Sequence, residues 1–407
     1  MRFDLFIAGR ISYRSKRSFS KVIIRIAAAA IMLSVAIMLI SDSIYTGFQS
    51  EIKDKITGFA SHILVSRANS DFTFENEPVP YDSAFVKKVQ ALPNVRHIQV
   101  FATKPGVIKF KNDNEGAVLK GVGQDFDWQF INSKLVAGRR LQLSDSSAST
   151  EVVLPKAMAD KLDIKVNDKV IMGFVQNPPR VRKFTVVGIY ETGVEDIDKV
   201  FIITDIRQIQ QLNNWGSDKN LYGGYEIFIK NTDAMEHTSD DISELADLRL
   251  QSRTIRDRFP QMYDWLNLIS ANTYIILILM LIVAIINMST ALIVMILERT
   301  QMVGILKSMG AGNASIQRIF MINAAKVILT GTFLGNLLGL GFLYLQQHTH
   351  AIKLVQENYY LAYVPVNFTL SHILVINIGA LVICTLAMLL PGLFIIRIKP
   401  STALRFE

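Results

Sequence analysis

Four stretches of this chain hold enough consecutive apolar residues to cross a bilayer. They run roughly from Val22 to Ile40, Tyr274 to Ile296, Val327 to Leu345 and Ile373 to Ile396. Each is close to the ~20 residues that a helix needs to cross ~30 Å of hydrocarbon. Half of the residues are hydrophobic and only 19% are charged, which is not the balance of an ordinary soluble domain. Between the first and second runs lies a polar stretch, Asp42 to Asn272, long enough to build a core of its own. The expected plan is a membrane protein with four transmembrane α-helices and a large α+β extracytoplasmic domain between helices 1 and 2. Its expected segments are a cytoplasmic tail 1–21, span 22–42, external domain 43–272, span 273–297, cytoplasmic segment 298–317, span 318–346, short outer loop 347–371, span 372–396 and cytoplasmic tail 397–407.

Basic residues precede the first run, as in a signal peptide. However, its small residues, Ala27 to Ala30, come at the start of the run, and no A-x-A site follows before Ser41 and Asp42, so the helix is expected to be retained. Orientation follows from Lys and Arg. The N-terminal tail carries Arg2, Arg10, Arg14, Lys16, Arg17, Lys21 and Arg25 against Asp4, and the C-terminal tail carries Arg397, Lys399 and Arg405 against Glu407. The outer loop holds only Lys353, offset by Glu357. Both tails therefore read as cytoplasmic, and so does the segment with Arg299, Lys307 and Arg318. The formal charge of +8 resides mostly in these membrane-flanking residues, which argues for membrane lipids and against nucleic acid as partner. The only cysteine, Cys384, falls inside the fourth run, so the external domain must stand without disulfides. No His, Cys, Asp or Glu set has metal-ligand spacing, and no Ser/His/Asp grouping assembles locally. His62, His97 and His237 are isolated and read as structural or surface residues.

The cytoplasmic segment reads LERTQMVGILKSMGAG. Met302, Ile305, Leu306 and Met309 recur at i, i+3, i+4 and i+7, placing four apolar side chains on one face of a helix of about three turns. Glu298 near its start and Lys307 near its end complement the helix dipole. Gly310 and Gly312 stop it, and Asn313 is expected to cap the helix leading into the third span. One reading is a connection lying in the membrane interface. The other is a stiff element on which a soluble motor pushes.

Here the chain resembles a known family. ERTQMVGILKSMGA, residues 298–311, is similar to the cytoplasmic segment between the second and third helices of the FtsX/MacB-like superfamily of ABC transporter permeases. YTGFQSEIKDKITGFASHILV (45–65) and the stretch from Phe259 to Arg299 resemble its LolC/LolE branch, the permeases of the lipoprotein-releasing system. VLPKAMADKLDIKVNDKVIM (153–172) and FTVVGIYETGVEDIDKVFI (184–202) are in the same style. The resemblance implies a MacB-like periplasmic core domain built as two subdomains, the second inserted in the first. It also implies a coupling helix that seats in an ATPase, assigning that role to Glu298, Arg299, Met302, Gly304, Ile305, Leu306, Lys307, Met309 and Gly310.

No G-x-x-x-x-G-K-[ST] occurs; the run Gly304 to Ser308 lacks the glycine spacing that lets backbone N–H groups cradle phosphates. The chain is therefore expected to bind no cofactor, with ATP and Mg used by a separate ATPase subunit dimer. In the external domain Lys183–Tyr190 and Tyr225–Lys230 alternate as strands, while Ala157–Leu162 and Ile206–Leu212 read as short helices. The loop GFVQNPPRVRKF (173–184) reads either as an ordinary hairpin turn or, by resemblance, as a short hook for a periplasmic lipoprotein carrier, with Pro178, Pro179 and Arg180 as its docking residues. Ile44, Phe48 and Ile52, with Tyr45 beside them and Met38 a little earlier, continue an apolar stripe beyond the first span. That stripe is either plain packing or the lining of a cavity for acyl chains. Gly331, Gly335 and Gly339 form a small-xxx-small face, which either packs within the chain or seats a second permease subunit, a paralogue or a copy. Lys326 and Asn323 read as snorkelling to the interface, Asn287 and Asn336 as interhelical hydrogen-bonding groups.

Together these readings point to a multi-pass protein of a bacterial inner membrane, a permease that releases acylated lipoproteins from the outer leaflet by mechanotransmission and is not itself an enzyme. Two alternatives stay beside it: a MacB-like exporter of peptides or small amphiphiles, and an FtsX-like signalling protein acting on a cell-wall hydrolase.

Overall fold

A computed structural model describes residues 19–67, 74–111, 113–144, 147–216, 220–355 and 361–392. Residues 1–18 of the N-terminal tail, the C-terminal tail, the residues Leu393 to Ile396 of the fourth apolar run, and Glu357 lie outside the described residues. The chain forms two compact units, one of Met1–Ser50, Trp265–Lys353 and Tyr363–Glu407, the other of Glu51–Asp264 and Leu354–Ala362.

Among the described residues four helices are long and apolar enough to cross a bilayer. The first runs Phe19–Ala60, the second Pro260–Glu298, the third Asn313–Thr349 and the fourth Leu370–Ala387. The first three extend well past their apolar runs. Helix geometry continues for as long as neither proline nor a left-handed residue interrupts it. The first helix therefore stops only at Ser61 (φ 59) and the third at His350 (φ 48), and the second begins with Pro260 in its first turn, where a missing N–H costs nothing.

The spans share a core that includes Ile31, Leu39, Met288, Leu292, Phe320 and Ile328. Their other faces leave Ile275, Leu279, Phe333, Leu337 and Val375 exposed, as helices apolar all round do when they meet lipid. Gly331, Gly335 and Gly339 lie against the first helix of the same chain. A Cβ on Gly331 would come 2.8 Å from the Ile31 Cβ, and one on Gly339 3.2 Å from the Ala36 Cα. The glycine face thus packs within the chain and is not open to a second subunit. Asn336 and Asn377 exchange amide hydrogen bonds of 2.6 and 2.9 Å, joining the third and fourth spans. Asn323 does not snorkel as expected: it is buried and donates to the Ile319 carbonyl 3.1 Å away. Lys326 is exposed. At the outer end Asn367 donates to the Ser43 carbonyl (3.0 Å), Thr46 donates to the Asn367 carbonyl (2.7 Å), and His372 lies 3.0 Å from Asp42.

The other unit holds strands β1 (Ile63–Arg67), β2 (Val79–Pro80), β3 (Val95–Phe110), β4 (Asp113–Val122), β5 (Leu135–Gly138) and β6 (Glu151–Pro155). These are followed by β7 (Lys169–Phe174), β8 (Arg180–Tyr190), β9 (Phe201–Asp205), β10 (Leu221–Tyr222), β11 (Gly224–Ile229) and β12 (Leu250–Thr254). Ten of them form one sheet in the order β12-β1-β11-β3-β4-β9-β6-β8-β5, with β7 bridging β3 and β8. The pairings close a ring β3-β4-β9-β6-β8-β7, and β1, β11 and β12 extend from the outer edge of β3. The two expected subdomains therefore share strand β3 within one compact unit. The short helices expected at 157–162 and 206–212 are Lys156–Leu162 and Ile206–Leu212.

His62 is structural, as its isolation suggested. Its backbone pairs with Ile227 and Ile255, its ring meets Phe228 edge-on, and its buried Nδ1 has no hydrogen-bond partner among the described residues. Burial, then the nearby Arg96 charge, hold its pKa down at about 4.

Two predictions follow from this packing. Gly335→Leu would place a Cβ 2.7 Å from the Met32 carbonyl oxygen, so thermal unfolding in detergent is expected to show a loss on the order of 1–3 kcal/mol; an unchanged midpoint would refute the close contact. For His62, the unfolded imidazole takes up its proton near pH 6.5 and the folded one only near pH 4, so its stabilising effect is complete above pH 6.5 and is lost as pH falls toward 4. The effect amounts to at most about 3 kcal/mol, and His62→Phe should flatten the pH dependence of stability in that window.

Candidate coupling and docking sites

The short helix between the second and third spans covers Thr300–Ser308. Arg299 (φ −108, ψ 20) breaks the chain from the second span and serves as N-cap, so Glu298 ends the preceding helix instead of opening this one. The C-terminus closes as a Schellman motif: Gly310, at φ +90, donates to the Lys307 carbonyl (3.0 Å) and Ala311 to that of Leu306 (2.9 Å). Only glycine takes that φ without strain. Gly312, in extended geometry, then caps the third span in place of Asn313, which is already helical and makes no cap bond. Lys307 sits in the last turn, favourable to the helix dipole.

The four-residue apolar face divides in two. Val303 and Gly304 are buried, and Met302 and Leu306 pack partly against the core of the spans, whereas Ile305 (49% exposed) and Met309 (78%) turn outward. The period alone missed Val303, the residue that seats the helix. It lies next to Met302 and one turn before Leu306, so a slightly rotated stripe contains it. The result is a short helix anchored on one side and carrying two exposed apolar side chains four residues apart on the other.

The stripe beyond the first span is largely core. Met38 is buried among the spans, Phe48 is 7% exposed and meets Trp265 edge-on with ring centroids 6.0 Å apart, and Ile52 is fully buried. Ile44 and Tyr45 are half-buried. Gly47 lets the helix approach the Pro365 carbonyl, where a Cβ would stand 2.7 Å away.

At the β7–β8 hairpin the structure separates residues that the sequence grouped. Arg180 is consumed internally. Its guanidinium donates to the carbonyls of Gln211 (2.7 Å) and Leu212 (3.0 Å) and to Asn214 Oδ1 (2.7 Å), holding the C-terminal end of the Ile206–Leu212 helix. Gln176 adds a bond to the Leu212 carbonyl. Pro178 and Pro179 are exposed in the turn, together with Val175, 91% exposed, which the sequence reading passed over. Register places Val107, Gly173 and Val181 opposite one another on β3, β7 and β8, with Lys109, Ile171 and Lys183 two residues along on the same face. Val107, Ile171 and Val181 are 40, 39 and 62% exposed, and both lysines are exposed. An apolar strip with a lysine on either side thus lies on the outer face of the sheet beside the turn. Pairwise alternation hints at it, but only the register of three strands assembles it. Among the described residues no group of three or more His, Cys, Asp or Glu converges as a metal site would.

The MacB-like periplasmic core domain family matches residues 26–245, and the FtsX-like permease C-terminal family matches residues 274–400. The lipoprotein-releasing system transmembrane protein LolC of Xylella fastidiosa (strain Temecula1) is 24% identical over 417 residues, covering 97% of each chain. LolE of the same system in Haemophilus influenzae is 23% identical over 419 residues, covering 97% of this chain and 98% of its own. Among solved structures, the periplasmic region of MacB from Actinobacillus actinomycetemcomitans matches at 14% identity and a TM-score of 0.35, over 51% of this chain and 95% of that one. With four apolar spans among the described residues and both matched segments in this order, the chain belongs to the MacB-like periplasmic core domain family, carries an FtsX-like permease C-terminal segment, and is a multi-pass inner-membrane protein whose large domain is periplasmic.

Proposed function

We propose that this chain is a permease subunit that extracts acylated lipoproteins from the outer leaflet of the inner membrane and passes them to a periplasmic carrier. The observation that carries this reading is end-to-end similarity to relatives named for lipoprotein release, 24% to LolC and 23% to LolE, on a chain that holds a stiff cytoplasmic helix between two spans. Each CH₂ drawn from lipid into water costs ~0.8 kcal/mol, so a multiply acylated cargo needs an energy source and an apolar shelter. ATP and Mg act in a separate ATPase subunit dimer. Ile305 and Met309 enter a groove of that ATPase, while Met302, Val303 and Leu306 pass its motion to the spans. Mechanotransmission along the spans then moves the periplasmic domain. The shelter forms where the outward apolar faces of the spans meet a second permease subunit, a paralogue or a copy, with Ile44 and Tyr45 at its rim.

The carrier docks on the hairpin turn and the strip beside it, with Val175, Pro178 and Pro179 at the tip and Val181 and Ile171 behind, and the lysines attract an acidic rim. Arg180 supports this surface from beneath.

Two measurements test these roles. Ile305→Asp with Met309→Asp should lower the ATPase recovered with the purified permease about tenfold and leave its thermal midpoint unchanged, while Val303→Asp should lower the midpoint itself; normal ATPase recovery from the double variant would rule out docking there. Val175→Asp with Val181→Asp should abolish photo-crosslinking to the carrier, whereas Arg180→Ala should loosen the hairpin by about 1–3 kcal/mol; undiminished crosslinking in the first variant would remove the strip from the docking surface.

A further inference from the structure

The last turn of the first helix is held by charges deep in the periplasmic domain. Lys120, on β4, is 3% exposed, and its ammonium donates to the Phe59 carbonyl (2.5 Å) and to Glu226 Oε1 on β11 (2.7 Å). It also lies 4.5 Å from the centroid of the Phe59 ring. Glu226, 2% exposed, receives a second bond from Gln99 on β3 (2.8 Å). The next carbonyl, Ala60, accepts from Arg258 (2.6 Å). The final carbonyls of a helix carry the negative end of its dipole and have no partner within the helix. Here two cations from distant parts of the chain take them.

Aromatic packing completes the grip. The Phe59 ring lies between Tyr190 (6.1 Å) and Phe201 (5.3 Å), from β8 and β9. Gly58 meets Phe130 so closely that a Cβ would stand 2.2 Å from its ring. The anchorage therefore touches β3, β4, β8, β9 and β11, half of the ten strands of the sheet.

Stability alone is a poor account of such a pair. Removing two ions from water is costly, and an apolar pair of similar volume often serves the fold as well or better. What an ion pair adds is direction, because it fixes one carbonyl at one point. The helix so fixed is the one that continues, unbroken, from the first span. At 1.5 Å per residue its 42 residues reach ~63 Å. We infer that Lys120, with Glu226 and Arg258, is a positioning clasp that ties the end of the first span to the periplasmic sheet, so that displacement of the span moves the sheet instead of slipping past it. The transport arm of its test rests on the function proposed above.

The test uses the intact complex with its ATPase, comparing wild type with Lys120→Met/Glu226→Met, which keeps volume and removes both charges together. Cargo released per ATP hydrolysed is expected to fall about tenfold with the ATPase rate preserved, and hydrogen exchange should accelerate at Ile56–Ala60 but not in β6 or β7. Release per ATP at the wild-type value, or exchange accelerated uniformly through the domain, would overturn the clasp in favour of a purely structural pair. A second arm needs no cargo. In a Cys384→Ala background, spin labels at Asp54→Cys and Lys109→Cys should keep one separation through the nucleotide cycle in wild type and change it in the double variant. If wild type releases no acylated protein, the functional reading fails while this distance still decides the clasp: a separation that changes with nucleotide in wild type would refute it.

Discussion

Hydrocarbon offers no hydrogen-bond partner to a peptide group, and it is as apolar as any leucine. The first property makes each span a helix; the second removes the usual drive for helices to associate, leaving shape and buried polar contacts to hold them. The membrane unit shows both devices. Gly331, Gly335 and Gly339 let the third span approach the backbone of the first between Ala28 and Leu39, and the paired amides of Asn336 and Asn377 fix it to the fourth. With those contacts made inside one chain, the remaining apolar faces are left for lipid or another subunit.

On this packed base the short helix between the second and third spans becomes intelligible. Val303 and its neighbours tie it to the spans, and the Schellman closure at Gly310 gives it a defined end. The lever role proposed for this helix requires attachment on one side and access on the other, and Val303 is buried while Met309 is exposed. The periplasmic unit repeats the principle with different chemistry. Its sheet receives the first helix through buried charge and aromatic rings, where a close approach of small residues served in the membrane.

Polar side chains mislead a sequence reading most, because their role depends on what the fold brings near them. Arg180 sits in a basic turn and invites a docking role, yet the Ile206–Leu212 helix ends beside it and takes its guanidinium. Asn323 near a span end reads as a snorkelling group and is instead turned inward to its own helix. Lys120 is one lysine among many along the chain until β11 places Glu226 against it. Asn377 carried no signal of its own, since a lone amide in an apolar run is informative only when its partner is known.

The sequence by itself determined the number and order of the spans, the place of the large domain between the first two, the short amphipathic helix between the second and third, and the family to which these belong. The spans, the place of the domain and the short helix rest on local quantities, the length of an apolar run and the period of a stripe, which need no knowledge of neighbours, while the family rests on the resemblance of whole segments. The tertiary structure decided which side of each stripe is buried, that Met38, Phe48 and Ile52 serve as core, that the glycine face is occupied by the first helix, and that Val107, Ile171 and Val181 form one exposed strip. Each of these depends on residues far apart in the chain meeting at a few ångströms, and such pairings are set by strand register and helix packing, to which no short stretch of sequence has access.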